Sequence, residues 1–201
     1  MVLFGGVFDP VHVGHIRLAD HARVALPGHH VVFLPAGLPP HKQGAALTPS
    51  HHRARMLELA IVDHPGMSVD DRELRRSGPS FTVVTLEELH EERPGRHIYF
   101  LLGADNVSTV GHWHRAARIF ELCDPVIVPR PGFPARFDAA DVPFLGSARV
   151  HALNALALAS EELAVSSSEV RRRAARGESL AGWVPAAVEA YIEEHRLYRE
   201  G

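Results

Sequence analysis

The residues best equipped for chemistry are two histidines three positions apart. His12 and His15 close the string Gly5-Gly6-Val7-Phe8-Asp9-Pro10-Val11-His12-Val13-Gly14-His15. Gly5 and Gly6 let the backbone turn tightly and admit a phosphate with no Cβ in its way. Pro10 stiffens the loop, and Gly14 lets the chain enter a helix close to a ligand. His15 falls near that helix's N-terminus, where free N–H groups and the helix dipole favour an anion. Two imidazoles beside such an anion hole suit a phosphorus centre that gains charge on its non-bridging oxygens. A lone His-x-x-His would instead read as a solvent-facing pair or a chance metal pair.

Similar placements recur down the chain. In Pro35-Ala36-Gly37-Leu38-Pro39-Pro40-His41-Lys42, two prolines hold an extended loop and aim His41 and Lys42 at one end of the fold. Lys42 there is a point charge for a phosphate, or a solvated lysine after a rigid turn. Ser80 and Thr82, in Pro79-Ser80-Phe81-Thr82-Val83-Val84-Thr85-Leu86, read as helix caps that leave backbone N–H groups outward. Asp105 follows an apolar run in Leu102-Gly103-Ala104-Asp105-Asn106, placed to accept from a ribose or to cap a helix. Trp113, in Gly111-His112-Trp113-His114, offers a flat face for stacking, and its histidine neighbours predict exposure rather than a core position. Ser166 and Glu169 have capping-box spacing. That puts Ser167 and Ser168 in a first helical turn beside the positive dipole end, with Arg171 one turn on. The bland alternative is a capped basic helix whose Arg172 and Arg173 face solvent.

These residues need a frame to converge. Met1 to Phe4, His30 to Pro35, His97 to Gly103 and Cys123 to Pro129 read as strands, the last three nearly continuous in Val, Ile, Leu and Phe. Met67 to Leu74 and Arg149 to Leu153 are expected as further strands. His15 to Ala25, Pro49 to Asp63, Thr82 to Arg93, Ser166 to Arg176 and Pro185 to His195 read as helices, with Pro185 suited to a first helical position. In the second helix Met56, Leu57, Ala60 and Ile61 share a face, and Arg53, Arg55 and Glu58 project elsewhere. Residues 131–146, rich in Pro, Phe and Asp, read as a surface excursion. The alternation predicts an α/β doubly wound parallel sheet over a single domain, 1–201, with a small C-terminal helical extension at about 166–201. Ligands of such sheets bind beyond the carboxyl ends of the strands, where the residues above fall.

Composition narrows the partners. A net charge of −3 argues against a broad nucleic-acid surface. Cys123 is alone, which excludes an intrachain disulfide and agrees with a reducing cytoplasm. The N-terminus lacks the pattern of a signal peptide, and no apolar run approaches the roughly 20 residues that span a bilayer. The 15 histidines are scattered, with no Cys/His cluster of zinc spacing and no side-chain metal site expected. A small ligand in the cytoplasm is the expectation; the sequence leaves a homo-oligomer open.

The eleven-residue string resembles the signature of the nucleotidyltransferase superfamily with a His-x-Gly-His motif. Pro39-Pro40-His41-Lys42 looks like a loop of the bacterial nicotinate-nucleotide adenylyltransferases, one absent from the shorter pantetheine-phosphate adenylyltransferases. Ser80-Phe81-Thr82 is similar to that family's Ser-Tyr-Thr segment, with Phe81 for tyrosine and Val84 for a usually polar residue. Leu102 to Asn106 resembles its Gly-x-Asp segment, and Trp113 matches its tryptophan. Val165 to Arg171 resembles Ile-Ser-Ser-Thr-x-Ile-Arg, with Ser168 for threonine. The motifs occur in family order.

The resemblance implies a Rossmann-like fold and adenylyl transfer from ATP, accompanied by Mg²⁺, to nicotinate mononucleotide, with release of pyrophosphate. His12 and His15 would be catalytic. Gly5, Gly6, Phe8, Asp9, His15, Gly103, Asp105, Ser167, Ser168 and Arg171 would form the ATP site. His41, Lys42, Ser80, Phe81, Thr82 and Trp113 would take the acceptor. Rival readings are another acceptor (nicotinamide mononucleotide or pantetheine phosphate), a nucleotide-binding module without activity, or a histidine-rich metal protein.

Overall fold

The computed structural model describes residues 1–26, 30–39, 47–159 and 165–199. Five strands, β1 (Val2–Gly6), β2 (Val31–Pro35), β3 (Met67–Val69), β4 (Tyr99–Gly103) and β5 (Asp124–Val128), form one sheet in the order β3-β2-β1-β4-β5. Every pairing is parallel. The helices between them are α1 (Val13–Ala25), α2 (Ser50–Ile61), α3 (Arg72–Arg75), α4 (Thr82–Glu92), α5 (Val107–Val110) and α6 (Ala116–Leu122). Three more, α7 (Ser147–Asn154), α8 (Ser167–Ala175) and α9 (Ala186–Glu194), follow the sheet. This is the doubly wound, Rossmann-like arrangement expected.

The strands are apolar throughout because both faces are covered, and alternation sorts their side chains. Val2, Phe4, Val31, Phe33, Leu101, Val126 and Val128 face a core filled by α1, α2, α8 and α9. Leu3, Val32, Phe100, Leu102 and Ile127 face a second core built with α4, α5, α6 and α7. Period-two alternation and burial on both sides coexist, as parallel sheets require.

Three expectations are corrected. The strand expected at Met67 to Leu74 stops at Val69, because the Asp70 carboxylate takes the Arg72 N–H at 3.1 Å and turns the chain into α3. The strand expected at Arg149 to Leu153 is helix α7. Leu153 is buried and Val150 packs beside it, a helical three-residue spacing, and the side chain of Asn154 holds both backbone groups of Phe137. Pro185 is the N-cap of α9, one position before the first helical residue. The outer edge of β5 receives a bond from Leu158 N to Ile127 O, 2.9 Å. Within the excursion at 131–146, Phe137 and Val142 are buried in the second core.

The β1–β2 ladder runs to Gly6 and Pro35, whereas β1 and β4 are paired only at Val2 and Leu3. The central strands therefore part before their carboxyl ends, at the point where strand order reverses. A crevice opens there.

Candidate functional site

The loop from β1 to α1 places the histidines at this crevice. His12 is the N-cap of α1, and its backbone N–H donates to His15 Nδ1 at 3.2 Å. The two rings stack with centroids 3.6 Å apart. Because His15 Nδ1 accepts, neutral His15 carries its proton on Nε2, which fixes the tautomer as a donor. His12 is 6% exposed, and its Nδ1 has no hydrogen-bond partner among the described residues. Phe8 and Phe4 stand edge-on to the His15 ring at 5.0 and 5.8 Å. Burial pushes the His12 imidazole from 6.5 down to about 4, with the Arg130 cation adding to the effect. Burial, His12 and Arg130 hold His15 well below its ordinary value. Both rings are therefore neutral until a negative ligand arrives.

Glycine is required at position 6: a Cβ there would come to 2.9 Å from the Phe8 ring. Phe8, at φ 50°, is itself in the left-handed region and buried beneath His15. Asp9 is 5% exposed, and its carboxylate accepts from Thr48 N at 3.2 Å and Tyr198 Oη at 2.7 Å. Helix α8 docks on the same loop. Ser167 Oγ donates to Pro10 O at 2.9 Å, and Arg171 Nη1 donates to Asp9 O at 2.6 Å. Ser166 caps α8 by accepting from Glu169 N, and Ser168 Oγ lies 3.3 Å from Arg171 Nη2. The N-terminal turn of α8 thus stands against Asp9 and Pro10, just before His12 in the loop.

On the other side of β1, Ser80, Phe81, Thr82, His112, Trp113, His114 and Ile119 line a cavity of about 380 Å³. The N-cap of α4 is Phe81, not Ser80 or Thr82. Ser80 Oγ accepts from Gly37 N at 3.0 Å instead, and Thr82 is the first helical residue. Trp113 is half-buried, packed on the second core with its ring edge-on to Phe100, where exposure was expected. Phe100, against which Trp113 packs, also lies under Gly5 at the start of the histidine loop. Gly103 ends β4, and Asp105, in the turn that follows, pairs with Arg130 at 3.7 Å. His41 and Lys42 lie outside the described residues.

Sequence reasoning missed Arg53, Arg130 and Tyr198. Arg130 directly follows the β5 run, so the rule that picked out the other residues would have found it. Arg53, expected to project away from the core, is 2% exposed. Its guanidinium donates to Thr48 O at 3.0 Å and to Val7 O and Ala36 O at 2.8 Å each. Nothing in the spacing of Tyr198 marks it. Among the described residues no group of three or more His, Cys, Asp or Glu is arranged to hold a metal.

The cytidylyltransferase-like family profile matches residues 3–173. A probable nicotinate-nucleotide adenylyltransferase of Geobacillus kaustophilus is 40% identical over 196 residues, covering 98% of this chain and 84% of the relative. One from Dehalococcoides mccartyi strain CBDB1 is 39% identical over 198 residues, covering 98% and 95%. Among solved structures, Plasmodium falciparum nicotinic acid mononucleotide adenylyltransferase complexed with NaAD superposes with a TM-score of 0.72. That likeness covers 98% of this chain and 96% of the other at 20% identity, and speaks for the fold alone.

Proposed function

We propose a residue-level mechanism from one premise: the chain belongs to the nicotinate-nucleotide adenylyltransferase family. Its reaction is transfer of the adenylyl group of ATP to nicotinate mononucleotide, giving nicotinate adenine dinucleotide and pyrophosphate. The observation that carries the mechanism is the neutral, stacked His12–His15 pair at the start of α1, His12 buried and His15 half-buried.

An oxygen of the acceptor's 5′-phosphate bonds to the α-phosphorus of ATP as the bond from that phosphorus to the α,β-bridging oxygen breaks. The nucleophile is already anionic, so no general base is needed. The task is alignment and stabilisation of charge developing on phosphate oxygens. His15 Nε2–H and the His12 ring donate to those oxygens. The N–H groups at the start of α8, the Ser168 hydroxyl and Arg171 take the leaving pyrophosphate, with Lys42 as a further cation. Asp105 faces the nucleotide's ribose, and Gly5 and Gly6 leave room for its phosphates. Mg²⁺ enters with ATP. It would supply positive charge to offset that of the phosphate oxygens. Trp113 stacks on the pyridine, and the N–H groups of the first turn of α4, from Thr82 on, receive its carboxylate. Ser80 and Phe81 shape the approach; the N–H groups of those two are already bonded to Leu38 O and Pro79 O. His41 completes the acceptor site, and the cytoplasm supplies both substrates.

The test mixes protein, ATP and Mg²⁺ with nicotinate mononucleotide, nicotinamide mononucleotide or pantetheine phosphate and follows pyrophosphate release. Nicotinate mononucleotide should be preferred, because a carboxamide would turn its NH₂ toward donors. A preference for either other acceptor overturns the pocket assignment. His15→Ala should lose roughly 10²–10³ in kcat with KM little changed; near-normal turnover sinks the catalytic role.

A further inference from the structure

The last described turn of the chain reaches back to the first loop. Helix α9 ends with Arg196 N bonded to Glu193 O at 3.2 Å and Leu197 N to Ile192 O at 3.0 Å. Those two bonds are the Schellman closure, with Arg196 in the left-handed conformation, φ 51°. Tyr198 is left-handed as well, φ 64°. Two such residues in three positions are uncommon away from glycine and persist where contacts over-determine them. The contact here is the phenol, which donates to Asp9 Oδ1 at 2.7 Å across 189 residues of sequence. Burial, and then the Asp9 carboxylate, raise the Tyr198 pKa, so the group stays a donor.

Asp9 touches both ends of what must be held. Its side chain joins Tyr198 to Thr48, and its carbonyl takes Arg171. Three residues later the chain reaches His12. A residue so tied sets the position of the loop.

We propose that Tyr198 is a positioning residue for adenylyl transfer, acting through the Asp9 carboxylate to hold the loop that carries His12 at the α-phosphate. The proposal rests on the reaction assigned above. Removing the hydroxyl leaves the ring in place but frees one oxygen of a buried carboxylate, so the loop samples positions in which the imidazoles miss the phosphate.

The experiment is a double-mutant cycle on the full chain with Tyr198→Phe, Asp9→Asn and the pair, reading kcat, both KM values and Tm. Tyr198→Phe should lower kcat roughly 10-fold, the scale of a lost hydrogen bond to a charged group. KM for ATP and acceptor should stay within about twofold, since no substrate contact is lost. In the Asp9→Asn background the same change should cost less than about twofold, because the path it acts through is already broken. Wild-type kcat in Tyr198→Phe, or an equal loss in both backgrounds, overturns the proposal. So does a loss that disappears when activity is expressed per folded molecule. If the wild type ignores nicotinate mononucleotide, the reaction reading fails instead, and the cycle is run with the acceptor it does use.

Discussion

At the residue scale the least expected finding is Arg53. It lies three, four and seven residues before Met56, Leu57 and Ala60, so helical periodicity puts it on the buried stripe of α2. Only its charge, which normally belongs in water, argued for projection outward. It is buried because its fork supplies hydrogens to carbonyls of three separate segments, at Val7, Ala36 and Thr48, and because Asp9 lies near enough to offset part of its charge. Arg53→Met should therefore destabilise by about 3–5 kcal/mol, leaving carbonyls without donors and Asp9 without its counter-charge. That is a fall in Tm of roughly 10 °C for a chain of this size. Arg53→Lys should recover little, since an ammonium cannot span three carbonyls at fixed angles. A Tm unchanged in Arg53→Met would show that these bonds contribute nothing net. Such a role is illegible in one sequence, because the partners are backbone atoms that only the fold brings together. His12 and His15 are legible for the opposite reason: their spacing fixes their relation on one helix start, and their chemistry needs no distant partner to be recognised.

At the element scale, sequence pattern identified β1, β2, β4 and β5 and the helices α1, α2, α4, α8 and α9, with boundaries off by a residue or two. It failed where a local side-chain bond outweighs propensity, as at Asp70, and where a short apolar run reads equally as strand or helix, as at α7. The end of α9 carries a removable cost of the same local kind. Arg196 adopts the left-handed conformation that glycine takes freely. Arg196→Gly should stabilise by about 0.5–1 kcal/mol, the relief of the left-handed penalty less the added freedom of the unfolded chain. Thermal unfolding would register a rise of roughly 1–4 °C. A lower Tm would mean that the arginine side chain makes a contact worth more than the strain.

At the scale of the whole molecule, the stacked imidazole pair makes stability depend on pH. His12 falls from 6.5 unfolded to about 4 folded, and His15, His30 and His52 are lowered too, burial being the first cause in each. Such groups bind fewer protons folded than unfolded. Their contribution is fully present above pH 6.5 and is lost as pH falls toward the folded values. His12 alone accounts for about 2 kcal/mol of loss by pH 5. Glu73 acts in the other direction, its carboxyl raised by burial, so that it favours the folded state at the acid end. The histidines outweigh it between pH 6.5 and 5 because several titrate in the same sense. The Tm should hold from pH 8 to about 6.5 and then drop by roughly 4–8 °C by pH 5. His12→Asn should flatten that fall. Bound ATP should flatten it as well, because a triphosphate beside the rings favours their charged forms and narrows the gap between folded and unfolded pKa. A nucleotide-free Tm equal at pH 5 and 7.5 would remove the basis for neutral rings in the resting site, and with it the idea that the pair gains charge only when substrate arrives.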